Sequence, residues 1–241
     1  MFKSKTYDSK SKEAFKLSRT KIENFIQCPR CFYLDRKLGI SQPPGFPFTL
    51  NSAVDCLLKK EFDVYRVEQK IHPLMAHYGL KAVPFRDEKM GEWRENFVGV
   101  QALHRPTNFL VFGAVDDVWV NEAGELIVVD YKATSSETAP TLDAEYRQAY
   151  KRQMEVYQWL LRQNGYKVSN TGYFVYANGR KDLKAFDGKL EFNVELLDYT
   201  GNDSWVEKTL VEIKKCLDSN KIPEYTTDCD FCNYQKKIKG I

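Results

Sequence analysis

Histidine is scarce in this chain of 241 residues, with only three. His72, His77 and His104 form no HExxH-type metal spacing. No serine or cysteine has a recognisable base partner, which argues against simple nucleophilic catalysis. No Walker loop is present, so ATP-driven motion would need a partner protein. No apolar run approaches the ~18 residues of a membrane span. The start, Met1 to Lys21, carries lysines but lacks the apolar core of a secretory signal. Cytoplasm, with no membrane partner, is the expected setting. Repeats are missing too, and no linker is clean enough to split the chain. One domain over residues 18–241 is expected, behind a basic, partly disordered tail at 1–17.

The net charge of +3 is modest, but its distribution is uneven. Lys3, Lys5, Lys10, Lys12, Lys16, Arg19 and Lys21 crowd the start, followed by Arg30, Arg36 and Lys37. Lys236, Lys237 and Lys239 crowd the end. Ends that meet in space would make a basic surface for phosphates; a solvated tail is the alternative. Tyr33, Phe46, Phe48, Tyr225 and Tyr234 lie near these segments and are candidates for stacking on unpaired bases, although core packing explains most aromatics.

The periodicity predicts a helix opening at Ser18 or Thr20, a loop over 41–48 (SQPPGFPF), and a second helix from Thr49 or Asn51 to Tyr65. That second helix repeats Ala53, Val54, Leu57, Leu58 and Phe62 at helical spacing. Strands are expected over 97–103, 109–120 and 126–132, then a helix over 144–163, and strands over 171–177 and 190–197. A last helix begins at Asp203 or Ser204, where Ser204 and Glu207 are spaced as a capping box. The fold class is mixed α/β.

If Glu122, Ala123 and Gly124 form a three-residue hairpin loop, Asn121 faces Glu125 and the register places Asp116 opposite Asp130. Lys132 then shares a face with Asp130. Two facing aspartates repel and interrupt an otherwise apolar strand, a broken local rule of the kind found at functional sites. A hard divalent cation resolves the repulsion, and Lys132 gains a role beside a metal-bound water or a phosphate oxygen. A plain surface ion pair between Asp130 and Lys132 is the alternative. Asp117 is a rival to Asp116, but alternation turns it to the other face.

Gly113-Ala-Val-Asp116, Asp130-Tyr-Lys132 and Gln153-Met-Glu-Val-Tyr157 resemble, in order, the GxxD, (D/E)xK and QxxxY motifs of RecB-like PD-(D/E)xK nucleases. That group includes AddB-type helicase-nucleases and the CRISPR-associated nucleases of spacer acquisition. The resemblance runs from about Ser18 to Gln235. It implies a restriction-endonuclease-like core, a mixed central sheet flanked by helices. It implies cleavage of DNA with Mg²⁺ or Mn²⁺, in repair, recombination or defence, alongside a helicase or other partner. It also implies that Asp116, Asp130 and the Tyr131 carbonyl bind metal, that Lys132 serves the attacking water, and that Gln153 and Tyr157 border the site. Read without the resemblance, Gln153 and Tyr157 are i,i+4 neighbours on an amphipathic helix. The family carries a metal-binding histidine upstream; here Asp55 holds that place, and the resemblance makes it a third ligand. That departure keeps a second reading open: a non-catalytic DNA- or partner-binding module.

Six cysteines in a reducing compartment argue against disulfides. Cys28-Pro-Arg-Cys31 and Cys229-Asp-Phe-Cys232 are two CxxC pairs able to complete one four-thiolate metal site that joins the terminal segments. Cys56 and Cys216 read as buried apolar residues. The iron–sulfur relatives place one cysteine upstream and three downstream, whereas this chain has two and two. The resemblance implies a 4Fe–4S cluster, with Zn²⁺ as the alternative.

Overall fold

A computed structural model of the protein describes residues 6–45, 49–144 and 147–239. Lys3, Lys5, Phe46 and Phe48 lie outside the described residues. In chain order the strands are β1 (Phe15–Ser18), β2 (Ala82–Pro84), β3 (Val100–His104), β4 (Phe109–Gly113), β5 (Asp117–Asn121), β6 (Leu126–Thr134), β7 (Thr171–Gly179) and β8 (Phe192–Thr200). The helices are α1 (Arg19–Gln27), α2 (Pro29–Arg36), α3 (Thr49–Glu68), α4 (Pro73–His77), α5 (Met90–Trp93), α6 (Gln148–Gln163), α7 (Val206–Asp218) and α8 (Asp230–Lys239). Among the described residues no helix is long and apolar enough to cross a membrane. The chain forms two compact units, residues 1–46, 101–112 and 204–241 in one, and 47–100 and 113–203 in the other.

The first unit holds a three-stranded sheet in the order β1-β4-β3. β1 runs parallel to β4, from Phe15 opposite Phe109 to Ser18 opposite Phe112. Residues 15–17, read as tail from the sequence, are therefore strand. Lys16 masks an alternation that buries Leu17, and Phe15 joins Tyr7 with ring centroids 5.2 Å apart. Ser18 caps α1, its hydroxyl accepting the Lys21 N–H at 3.3 Å, which is the N-cap geometry a serine supplies. Ile22, Phe32, Leu210, Ile213 and Leu217 are buried on α1, α2 and α7. The last helix, expected to begin at Asp203 or Ser204, does turn helical at Asp203. A short 3-10 turn over Asp203–Trp205 comes first, and Trp205 takes the N-cap position without a side-chain bond.

The second unit is built on a five-stranded mixed sheet in the order β2-β5-β6-β7-β8. β6 and β7 are parallel, and α6 makes the crossover between them, as a parallel pair requires. The other neighbours are antiparallel. Phe62 and Leu58 of α3 pack with Trp119, Ile127, Val129 and Tyr131 on one face of the sheet. Leu57 and Cys56, read as core from helical spacing, are exposed, so the buried stripe of α3 is narrower than its apolar content suggests.

The hairpin between β5 and β6 has the anticipated form. Gly124 has φ +71°, the Asn121 N–H donates to the Glu125 carbonyl at 3.1 Å, and Asp117 pairs with Val129 through to Val120 with Leu126. The stretch 109–120, expected as one strand, is not one, however. It breaks after Gly113, leaving β4 and β5 in different sheets. Gly99, at φ +63°, lies against this break: a Cβ there would sit 2.4 Å from the Gly113 carbonyl carbon. Only glycine satisfies both the backbone angle and the contact.

Candidate active site and cysteine centre

Asp116 ends the bend that follows Gly113, one residue before β5. Its Oδ2 accepts the Tyr131 N–H at 2.9 Å, a carboxylate standing where a ladder carbonyl would. Asp130 is fully buried on β6. Its Oδ1 accepts from Gln153 Nε2 at 2.7 Å, and its Oδ2 is ion-paired with Lys132 Nζ. Gln153 Nε2 also reaches Tyr157 Oη at 3.2 Å, so the i,i+4 pair on α6 forms a short chain ending on Asp130. Lys132 Nζ lies 4.6 Å from the centre of the Tyr150 ring. Burial alone would pull the Lys132 ammonium down, but the Asp130 and Asp116 carboxylates hold it above its ordinary value.

Asp55 projects from α3 toward the same place. Lys59, one turn later, is 2.8 Å from Asp55 and 3.6 Å from Asp116. Burial, with repulsion from Asp116 and partial relief from Lys59, pushes Asp55 above the usual carboxylate range. Asp55, Lys59, Arg94, Asp116, Lys132 and Tyr150 line a polar cavity of about 410 Å³. Asp130 lies behind that wall, engaged with Gln153 and Lys132.

Asp117 has a different environment. Fully buried, it accepts from Arg94 at 3.0 Å, the Val118 N–H at 2.8 Å, Trp119 Nε1 at 3.3 Å and the Tyr131 hydroxyl at 2.7 Å, and it also pairs with Arg66. Arg94 turns back to donate to the Asp116 carbonyl at 3.0 Å and to Asp63 at 2.9 Å. Asp117 is thus the anchor of a buried ionic network that holds the backbone of its neighbour. Burial, together with the Asp117 charge, raises the Tyr131 phenol well above its usual value.

Asp55, Asp116, Asp130, Lys132 and Gln153, all singled out in the sequence, fall in this one region. Three participants were missed. Lys59 was visible in principle as an i,i+4 partner of Asp55. Arg94 and Tyr150 carried no sequence signal, because α5 is a single turn and Tyr150 precedes the recognised motif.

In the first unit the four cysteines converge. Their Sγ atoms all lie within 4.8 Å of one another, with Cys28–Cys232 at 3.5 Å, Cys31–Cys229 at 3.6 Å and Cys31–Cys232 at 3.9 Å. Cys28 is the N-cap of α2 and accepts the Cys31 N–H at 3.4 Å. Burial would raise the Cys28 thiol, but hydrogen bonds from the Thr226 side chain and the Cys31 N–H bring it down to about 7. Burial pushes Cys31 and Cys232 upward. Tyr225 packs against the cysteines and carries the Arg30 guanidinium 3.9 Å above its ring. Tyr33, by contrast, is buried with its hydroxyl donating to the Ser219 carbonyl at 3.0 Å, so it is core and not a base-stacking surface. Tyr234 is exposed.

The arrangement is that of a nuclease-type α/β fold with an acidic, lysine-bearing site on its central strand. The chain belongs to the PD-(D/E)XK nuclease superfamily, whose family model matches residues 16–236. Among solved structures it is similar to the crystal structure of the archaeal protein SSO0001. That likeness has 16% identity and a TM-score of 0.45, covering 95% of this chain and 87% of the other. No curated protein sequence matches the chain.

Proposed function

We propose that the chain is a divalent-metal-dependent DNA nuclease of the RecB-like type, acting in the cytoplasm in repair, recombination or defence. The observation that carries this reading is the meeting of Asp116, from the bend entering β5, and Asp130, from the adjoining β6, beside the charged Lys132. The donor set is all oxygen, which suits Mg²⁺ or Mn²⁺ over softer ions. Asp116, Asp130, Asp55 and the Tyr131 carbonyl would hold the ion. When bound, it activates water and neutralises charge building on the phosphate.

The protein's own groups divide the remaining work. Lys132, kept cationic by its two carboxylate neighbours, orients the attacking water and stabilises a phosphate oxygen. Gln153 fixes the Asp130 carboxylate, and Tyr157 fixes Gln153. Lys59 and Arg94 add positive charge along the cavity wall, where a phosphodiester backbone would pass. With no Walker loop in the chain, a helicase is the partner class this reading favours for processive degradation.

Purified protein given single- and double-stranded DNA should degrade it with Mg²⁺ or Mn²⁺, lose activity in chelator, and lose it in Lys132→Ala. Equal, background cleavage by both proteins with Mn²⁺ would favour the second reading, a non-catalytic DNA- or partner-binding module. That reading draws on the complete burial of Asp130 and on aspartate standing at position 55.

A further inference from the structure

We propose that Cys28, Cys31, Cys229 and Cys232 hold a single Zn²⁺ ion and not the four-iron cluster that the family resemblance implies. The argument is one of size. A tetrahedral zinc site with Zn–S bonds of about 2.3 Å has thiolates about 3.8 Å apart. The recorded separations of 3.5, 3.6 and 3.9 Å bracket that edge, and all four sulfurs lie within 4.8 Å of one another.

A four-iron cluster makes a different demand. Each thiolate binds its own iron, so the sulfur–sulfur edge is about 3.8 Å plus the iron–iron separation. Keeping that edge inside 4.8 Å would require irons only about 1 Å apart, closer than any two metal ions can sit. A cavity of about 570 Å³ is lined by Cys28, Cys31 and Cys229, but the space enclosed by four sulfurs within 4.8 Å of one another admits one ion.

The surroundings suit a compact dianionic centre, which is what four thiolates make of one Zn²⁺. Cys28 caps α2, and Cys229 immediately precedes α8, with Cys31 and Cys232 in the respective first turns. Two helix N-termini therefore face the sulfurs, and their partial positive charge stabilises thiolate. Arg30 and Lys236 stack on Tyr225 at 3.9 and 5.0 Å and bring two cations beside it. The two-and-two division of ligands between the ends of the chain is also the ordinary arrangement of a zinc clasp.

The test uses full-length protein made in medium supplied with both metals and purified anaerobically. Zinc, iron and acid-labile sulfide are counted per chain, and the absorption spectrum is recorded. The expected result is colourless protein with about one zinc per chain and little iron. Cobalt exchanged for zinc should give the strong thiolate-to-metal colour of a tetrahedral four-sulfur site. Brown protein with about four irons and four sulfides per chain would overturn the proposal. So would metal-free protein whose four thiols react freely. Cys31→Ser should lose the zinc; if that variant fails to fold, chelator titration of the wild type should release one zinc as four thiols become reactive. None of these readouts depends on the carboxylate site being active.

Discussion

Lys59 Nζ sits 2.8 Å from Asp55 Oδ2, one helical turn along α3, and leans 3.6 Å from Asp116 Oδ1. An ammonium thus stands between two carboxylates that the nuclease reading gives to a metal ion. At such distances two unit charges interact by several kcal/mol at an effective dielectric constant near 20. Lys59 and the metal compete for the same negative charge. Replacing Lys59 with methionine should tighten Mn²⁺ binding by about three- to tenfold, read from free Mn²⁺ by electron paramagnetic resonance. Unchanged or weaker binding would mean that the lysine supports the ion and does not displace it.

Gln153 acts through Asp130 in the proposed mechanism, so its loss should lower turnover more than DNA affinity. Gln153→Ala is expected to reduce kcat by about tenfold to a hundredfold with KM nearly unchanged. Gln153→Glu would place a second carboxylate against a buried one and should be worse than alanine. A rise in KM with kcat intact would contradict a positioning role.

Asp35 gives the protein an acid-sensitive joint in the first unit. Burial would raise its carboxyl, but the Arg36 guanidinium, Lys21 and the Ser41 hydroxyl bring it down to about 2. Its folded-state pKa is depressed below that of the unfolded chain. The linked stability is therefore present above about pH 4 and drains away as pH falls toward 2. It amounts to about 1–2 kcal/mol once solvent screening is allowed for. Urea midpoints of wild type and Asp35→Asn should differ at pH 7 and draw together toward pH 2. A gap that stays constant across that range would remove the linkage.

Gly99→Ala tests the sheet break. A Cβ at this position meets the Gly113 carbonyl at 2.4 Å on a backbone already at φ +63°. The substitution should cost about 2 kcal/mol or more. Because the displaced segment leads to Asp116, divalent-ion binding should weaken along with stability. Full stability in Gly99→Ala would show that the segment can shift without cost.

The sequence made the β5–β6 hairpin legible because Gly124 and the polar turn fix its register, and that register alone aligns Asp116 with Asp130. The crossover helix was legible from its i,i+4 motif. What escaped was tertiary. Apolar residues flank Gly113 and the Asp116-Asp117 pair on both sides, and strand propensity alone does not reveal that the two halves of 109–120 belong to different sheets. Lys16 and the lysine-rich segment before Phe15 hide a strand whose partner lies more than ninety residues away, from Phe15 to Phe109. Lys59 and Arg94 acquire meaning only when α3 and α5 bring them to Asp116 and Asp117.

The bond from the Tyr131 N–H to Asp116 Oδ2 gives the site a silent witness. Most strand amides report on the ladder around them, but this proton is shielded by a side chain from the neighbouring segment. Its exchange with deuterium oxide therefore follows whether that carboxylate is seated, with no DNA, metal or turnover required. One backbone resonance can separate substitutions that unseat the aspartate from those that leave it in place and damage only the chemistry.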